Sequence, residues 1–379
     1  MAAAAGVSAG TASKALNGRG KISAGTRDRV LRAARELAFV PNTLAQGLLA
    51  GRSFSVALVT PGTFGRLCLQ VMLGAQDTLG ASQIPVLIGE ARGDPGRERR
   101  YLETFAARQV DGLIVAGRRP ESTQGLRASP GIPVVHALGR AANGGFSVLP
   151  DVAGGARLAA EHLLGLGRRR VAHITGPECH ASARLEASGF TAALRAAGVE
   201  RCGPVMHGQR DESWGREAAG RLLPGRPDAI FCGSDQIARG AAETVRALGF
   251  RIPEDIALVG SGNWTPAALG PRPELTSVDL CLEEVGRAAA VYLLSAIAGE
   301  APEGVHRVPA RLAVRRSSGG GDAGRGPAGP GRTGMPAPEA AGPGRTGMPA
   351  RQAAGRSDAP AMAGLGQRGG NDMKRGQLR

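Results

Sequence analysis

The sequence predicts an α/β protein with two doubly wound parallel-sheet lobes, a short helical segment before them and a tail without a core after them. From residue 53 to residue 316, short apolar runs alternate with helical patterns. The runs are too uniformly apolar for half-exposed strands, so repeated strand–helix–strand units imply parallel sheets covered on both faces. The last 63 residues contain 17 Gly and 7 Pro. So few apolar side chains cannot offset the entropy of ordering, and we expect a disordered tail.

Three short helices are predicted in the N-terminal segment. Residues 2–5 form a helical stretch ended by Gly6, and Ser8 is a suitable N-cap for a second helix over about 9–16. Ser23 can cap a third helix, and the helical spacing of its apolar residues predicts a buried stripe of Val30, Leu31, Ala34, Leu37 and Ala38. This pattern indicates a helix-turn-helix motif, with a small helical cap domain as the alternative.

The central segment repeats one unit. The predicted strands lie in 55–61, 85–91, 110–117, 131–139, 170–177, 228–235 and 256–263. The predicted helices are roughly 67–81, 97–109, 153–166, 183–198, 213–223, 236–249 and 282–298. This many strands favour two lobes over one very wide sheet. In such sheets, ligands bind beyond the carboxyl ends of the strands.

The chain carries a net charge of +15, and its distribution is informative. Residues 1–52 hold eight basic and two acidic side chains, whereas residues 53–316 hold 30 basic and 26 acidic ones. The basic excess in the small N-terminal segment fits a phosphate-binding surface, while the nearly balanced centre needs no polyanion.

Several classes of function are excluded by patterns that the sequence lacks. No run approaches the ~18 apolar residues of a membrane span, and no secretory signal precedes the helices, so we expect a cytoplasmic protein. The five cysteines form no C-x-x-C pair, so neither a disulfide framework nor a zinc site is indicated. No G-x-S-x-G, Walker or H-E-x-x-H motif appears, and we predict no enzymatic activity, cofactor or metal.

A fixed-spacing pattern runs through residues 5–53. It reads A-G-V-S-x-x-T-x-S-K-x-L-N, then S-x-x-T-x-x-x-V, then P-N-x-x-A-x-x-L. The pattern resembles the DNA-binding headpiece and hinge of the LacI/GalR family, and the resemblance continues through residue 316. It implies a helix-turn-helix headpiece, a two-lobed periplasmic-binding-protein-like core and a homodimer on double-stranded operator DNA.

The resemblance also implies domain boundaries. They are a headpiece at 1–40, a hinge helix and linker at 41–52, a core at 53–316 and a tail at 317–379, with the first lobe at about 53–150 plus 280–304 and the second at about 151–279 plus 305–316. In the family the first helix begins upstream of the position that Met1 occupies here. We therefore expect a truncated first helix and a true start upstream of Met1.

The resemblance assigns DNA-binding roles to named residues. In the recognition helix, Ala9, Gly10 and Lys14 would read bases, and Lys14 can donate to guanine or to phosphate. Phosphate or capping roles fall to Ser8, Thr11, Ser13 and Asn17. The hinge would contribute Asn42, Ala45 and Leu48, with Leu48 as a wedge in the minor groove.

The same resemblance places a small-molecule effector between the lobes. Its contacts would be Arg66, Ser182, Glu186, Arg210, Ser234, Gly262 and Asn263. Sugar- and purine-binding members usually have Arg at the position of Glu186, an aromatic residue at that of Arg210 and Asp near Gly262. These differences should change which ligand charge is tolerated. We expect a sugar or a sugar acid, with Arg66 and Arg210 as carboxylate partners.

Together these observations predict a sequence-specific transcriptional regulator, a repressor controlled by its effector. Two alternatives remain at this point. One is a sensor similar to a solute-binding protein, and the other is a defective paralogue that no longer binds operator DNA.

Overall fold

The computed structural model describes residues 1–16, 20–39, 52–117, 131–141, 145–264, 268–270, 273–300 and 302–319. Within them it confirms the predicted fold class: a small helical headpiece and two lobes, each built on a six-stranded sheet. The hinge segment, apart from Arg52, and the tail from residue 320 onward lie outside the described residues, as does the predicted tail disorder.

The headpiece contains two helices, α1 (Ala9–Leu16) and α2 (Ala24–Glu36). Ser23 caps α2 as predicted, because its side chain accepts a hydrogen bond from the backbone N–H of Thr26 at 3.3 Å. Residues 2–6 form turns in place of a first helix. The buried core of the headpiece consists of Ala5, Ala12, Ala15, Val30 and Ala33.

The predicted stripe of α2 is wrong at its C-terminal end. Leu37 is the C-cap of the helix and is 54% exposed, and Ala38 has a positive φ of 45°. Because the helix ends at Glu36, these two residues no longer follow its buried face.

The first lobe has a fully parallel sheet in the order β11-β5-β4-β3-β1-β2. Its strands are β1 (Val56–Thr60), β2 (Val86–Glu90), β3 (Gly112–Ala116), β4 (Val134–Ala137), β5 (Ser147–Pro150) and β11 (Val305–Val308). Its helices are α3 (Arg66–Ala81), α4 (Pro95–Ala107) and α9 (Leu282–Ile297).

The second lobe repeats this order as β12-β10-β9-β8-β6-β7, with only β12 antiparallel. Its strands are β6 (Val171–Thr175), β7 (Val205–His207), β8 (Ala229–Cys232), β9 (Ala257–Ser261), β10 (Thr276–Asp279) and β12 (Arg311–Ala313). Its helices are α5 (Val152–Gly165), α6 (Ala181–Ala196), α7 (Glu212–Leu222) and α8 (Asp235–Ala247), followed by short 3-10 turns at Leu223–Gly225 and Arg316–Ser318.

The central strands are buried along their whole length, which explains their uniformly apolar sequences. Every residue of β1, β3, β6, β8 and β9 is buried. Helices pack on both faces of each sheet, so the side chains on both sides of these strands enter hydrophobic clusters. No described helix combines the length and the hydropathy that a membrane span requires.

Two predicted boundaries are corrected by pairing at the end of the core. We expected residues 305–316 in the second lobe, but Val305–Val308 pairs in parallel with β5 and belongs to the first. We expected the tail to begin at 317, but the Ser317 and Ser318 side chains are buried in the second lobe. The backbone N–H of Thr276 donates to Ser317 Oγ at 2.8 Å, and Ser318 Oγ lies 2.7 Å from Thr276 Oγ1.

Helices α3 and α9 touch through two glycines. A Cβ on Gly74 would lie 1.9 Å from the carbonyl oxygen of Glu283, and a Cβ on Gly286 would lie 2.0 Å from that of Val71. Both obstacles are backbone atoms, so any larger residue must force the helices apart. Since α3 begins at the carboxyl end of β1, this contact positions Arg66, its first residue.

A substitution at Gly74 tests this contact. Gly74→Ala should lower the free energy of unfolding by about 1–3 kcal/mol, because a backbone clash cannot be relieved by a side-chain rotation. Gly80→Ala in the same helix is the matched control: its Cβ would meet nothing within 4 Å. The control should leave stability unchanged or raise it by up to about 1 kcal/mol. Equal effects of the two changes in urea unfolding would contradict the packing argument.

Candidate functional site

The candidate cleft lies where the strand order reverses in the two sheets. β1 lies between β2 and β3, and β6 lies between β7 and β8, so each sheet has a topological switch point beside its first strand. The segments that follow β1, β6, β7, β8 and β9 carry all seven predicted effector residues. The fold thereby brings to one edge of each sheet residues that are far apart in sequence.

Arg66 connects the two lobes. It is the first residue of α3 in the first lobe, yet its guanidinium lies over the indole ring of Trp264 in the second, with 5.4 Å between Cζ and the ring centroid. Gly262 has a φ of 112°, and a Cβ there would lie 3.7 Å from Nη2 of Arg66. Glycine at this position adopts the positive φ without strain and leaves space for the guanidinium group of Arg66.

Asp235 is a buried acid whose charge interacts with Arg66. Its Oδ1 accepts a hydrogen bond from Ser277 Oγ, and its Oδ2 accepts one from the backbone N–H of Trp264 at 2.9 Å. Burial raises the pKa of Asp235 to about 6, although these hydrogen bonds and the charges of Arg66 and Arg315 oppose the increase.

Asn263 is held by its neighbours in the second lobe. Its Oδ1 accepts a hydrogen bond from Arg315 at 2.7 Å, and its Nδ2 donates to Asp279 at 3.1 Å. Arg315 also donates to the carbonyl oxygen of Leu275. The amide of Asn263 is therefore oriented by protein contacts on both its oxygen and its nitrogen.

Glu186 occupies a buried polar cluster of the second lobe. It is 3% exposed, accepts a hydrogen bond from Thr175 Oγ1 and lies 3.4 Å from Nε2 of His173. Burial by itself would raise the pKa of Glu186, but His173, Arg210 and Thr175 hold it below its ordinary value. Burial also lowers the pKa of His173, although the hydrogen bond and the charge of Glu186 oppose this change. The structure thus gives Glu186 internal partners where the sequence suggested an effector contact.

Arg210, Ser234 and Ser182 lie near this cluster. The Arg210 guanidinium donates to the carbonyl oxygen of Gly233, whose missing side chain leaves room for Glu186. Ser234 is buried and caps α8 by accepting the backbone N–H of Ile237 at 3.2 Å. Ser182 lies in the first turn of α6 and is half-buried.

The residues that the sequence predicts to read bases lie on an exposed face of α1. Ala9, Gly10, Ser13 and Lys14 are all exposed on α1, whereas Ala12 and Ala15 are buried on its opposite face. Ser8 precedes the helix and accepts a hydrogen bond from the backbone N–H of Thr11 at 3.2 Å, so these two residues form its N-terminal cap. The predicted DNA-binding residues Asn17, Asn42, Ala45 and Leu48 lie outside the described residues.

Sequence reasoning missed Asp235 and Trp264 as cleft residues. Asp235 carries a local signal that could have found it, because it is an acid at the end of the apolar run 228–235. Trp264 is one of only two tryptophans and follows the predicted strand 256–263. Within the described part of the chain, no group of His, Cys, Asp and Glu could hold a metal ion.

The buried carboxyl of Asp235 predicts an unusual pH dependence. Because its folded pKa of about 6 lies above its ordinary value of 3.8, the folded state binds the proton more tightly. The free energy of unfolding should therefore fall as the pH rises from about 4 to about 6. The Asn variant lacks this titration. The free energy of unfolding of Asp235→Asn, measured in urea relative to the wild type, should therefore increase by about 2 kcal/mol from pH 4 to pH 7.

Asp255→Asn serves as the control for that series. Arg251 holds the pKa of Asp255 at about 2, so its contribution is lost only as the pH falls below about 4. This variant should keep a constant offset from the wild type between pH 4 and pH 7. An Asp235→Asn variant that behaves in the same way would contradict the raised pKa.

Comparison with known proteins agrees with this architecture. Residues 1–42 match the bacterial regulatory proteins of the lacI family, and residues 160–318 match a periplasmic binding protein-like domain. The helix-turn-helix transcriptional regulator CelR of Thermobifida fusca is 34% identical over 331 residues, which cover 84% of this chain and 96% of CelR. The regulator GntR of Pseudomonas aeruginosa is 33% identical over 303 residues, covering 78% and 88% of the two chains.

Solved structures show the same fold. A CelR–cellobiose complex aligns with a TM-score of 0.59 at 30% identity, covering 83% of this chain and 98% of that one. A lac repressor dimer bound to operator and an anti-inducer aligns with a TM-score of 0.68 at 24% identity, covering 84% and 97%. As its sequence motifs predicted, the chain belongs to the LacI family of helix-turn-helix transcriptional regulators.

Proposed function

We propose that this regulator is a repressor that binds a near-palindromic operator as a homodimer and releases or tightens it when a small effector enters the interlobe cleft. The observation that carries the proposal is the surface of α1. Ala9, Gly10, Ser13 and Lys14 are exposed together, on a helix whose opposite face packs into the headpiece. A helix with such a face can enter the major groove and place its N-terminal residues at base edges.

Each predicted domain has its own proposed role. The headpiece at 1–40 recognises the operator, and the hinge at 41–52 carries Leu48 as a minor-groove wedge. The core starts at 53 and, with the corrected boundary, ends at 318. Its partners are operator DNA in the cytoplasm, a second copy of the chain and the effector; it catalyses no reaction.

The cleft supports the effector part of the proposal. Arg66, Arg210, Gly262 and Asn263 lie at the carboxyl ends of strands in the two lobes, where open α/β sheets bind ligands. The related CelR was solved with cellobiose. We therefore propose a carbohydrate-like effector, whose binding changes operator affinity by a coupling of ~1–3 kcal/mol.

Selection of duplexes from a random library tests the DNA-binding part. The purified protein should enrich a sequence with two inverted half-sites, because the symmetry of a homodimer is mirrored in its operator. Recovery of unrelated duplexes with the same affinity as random DNA would overturn the operator proposal and would support a regulator that has lost DNA binding.

Lys14 provides the residue-level prediction. Lys14→Ala should weaken binding to the selected operator by about 1–3 kcal/mol, since a lysine at a base edge contributes to discrimination. Binding to random duplex should change much less. Lys21→Ala is the matched control, because Lys21 is exposed in the turn before α2 and lies outside the α1 face. Equal losses on both duplexes for Lys14→Ala, measured by fluorescence anisotropy, would refute base reading by Lys14.

A further inference from the structure

We propose that the effector carries a carboxylate, and that Arg66 is the residue that binds it. The inference rests on the proposed function, because it assumes that the interlobe cleft is the effector site.

Arg66 has hydrogen-bonding capacity that the protein does not use. Its guanidinium has five N–H donors and no acceptor. Nη1 is buried and has no hydrogen-bond partner, while the ring of Trp264 contacts only the face of the group. A buried donor on a charged group is costly when unpaired. A ligand that brings acceptor oxygens to this position would remove that cost.

The nearby acceptors of the second lobe are already occupied. Both oxygens of Asp235 accept hydrogen bonds, from Ser277 and from the backbone N–H of Trp264. Asn263 Oδ1 accepts from Arg315. Asp235 lowers the cost of burying Arg66 through its charge without filling the guanidinium's hydrogen-bonding sites.

Arg210 adds a second positive charge on the other lobe. Burial lowers the pKa of Arg66, the charge of Asp235 opposes this, and the charge of Arg210 lowers it further. The Arg66 and Arg210 guanidinium groups therefore repel each other across the cleft. An anion between them would replace this repulsion with two attractions, and it would join the first lobe to the second.

A carboxylate fits better than a phosphoryl group. Its two oxygens match the guanidinium fork in a bidentate pair. The carboxylates of Asp235 and Glu186 are buried close to the two arginines. A doubly charged phosphate would be repelled more strongly by these two acids than a singly charged carboxylate. For a carbohydrate-like effector, the ligand that fits these residues is a sugar acid.

Calorimetric titration of the full chain with matched sugars tests the inference. The pairs are cellobionate with cellobiose, glucuronate with glucose and galacturonate with galactose, with glucose 6-phosphate as the phosphoryl probe. At least one acid should bind about tenfold or more tightly than its neutral partner, and more tightly than the phosphate. Neutral sugars that bind as tightly as their acids, or an absence of binding by all three acids, would overturn the carboxylate inference.

Arginine variants assign the effect to Arg66. Arg66→Gln should reduce acid binding to the level of the neutral partner, and Arg66→Lys should give an intermediate affinity because it keeps the charge without the fork. Arg97→Gln is the matched control, since Arg97 also lies over an aromatic ring in the first lobe, that of Tyr101, at 6.0 Å. Equal losses for Arg66→Gln and Arg97→Gln, or an unchanged affinity in both Arg66 variants, would overturn the assignment.

Operator binding without ligand is measured on the same preparations. It shows whether the variants are folded and whether the regulator function holds. A protein that binds its operator and responds to a neutral sugar would refute the carboxylate while leaving the proposed function intact. A protein that binds a sugar acid but no operator would refute the proposed operator binding while leaving the carboxylate inference intact.

Discussion

The buried carboxylate of Asp235 is the interaction on which the cleft depends. It lies at the start of α8, after a central strand, and receives hydrogen bonds from β10 through Ser277 and from the segment after β9 through the backbone of Trp264. Its charge also partly offsets the burial of Arg66 from the opposite lobe. Asp235 therefore links the segments that follow β8 and β9 to β10 and to Arg66 of the first lobe, and these interactions reduce the cost of burying its carboxylate.

Much of the fold could be predicted because burial on both faces leaves a local signature. A strand such as Val56–Thr60 is apolar at nearly every position, and the seven predicted core helices begin and end within about two residues of the observed ones. β11 and the end of the core were not predictable in this way. Val305–Val308 joins the first sheet only through pairing with β5, and Ser317 is buried only through its partners in the second lobe. Neither cause is visible in the local sequence.

The candidate site was also predictable only in part. The segments at the strand ends could be found from sequence, since parallel sheets bring those ends together. The direction in which each side chain points could not be found from the sequence. Glu186 lies where an effector contact was expected, but Thr175 and His173 on the neighbouring strand draw its carboxylate inward. His173 itself lies between Phe190 and Phe231, with ring centroids 5.1 and 5.0 Å away, an environment that only the folded lobe creates.

Glu186 and Arg210 form a coupled pair of charges in the second lobe. Burial of Glu186 favours the neutral acid, but the hydrogen bond from His173, the charge of Arg210 and the hydrogen bond from Thr175 hold its pKa below the ordinary value. Loss of Arg210 alone would therefore leave the buried carboxylate with less compensation. Arg210 donates to the carbonyl oxygen of Gly233, beside the turn that leads to Asp235. Each arginine of the proposed effector site is thus coupled by charge to a buried acid, Arg66 to Asp235 and Arg210 to Glu186.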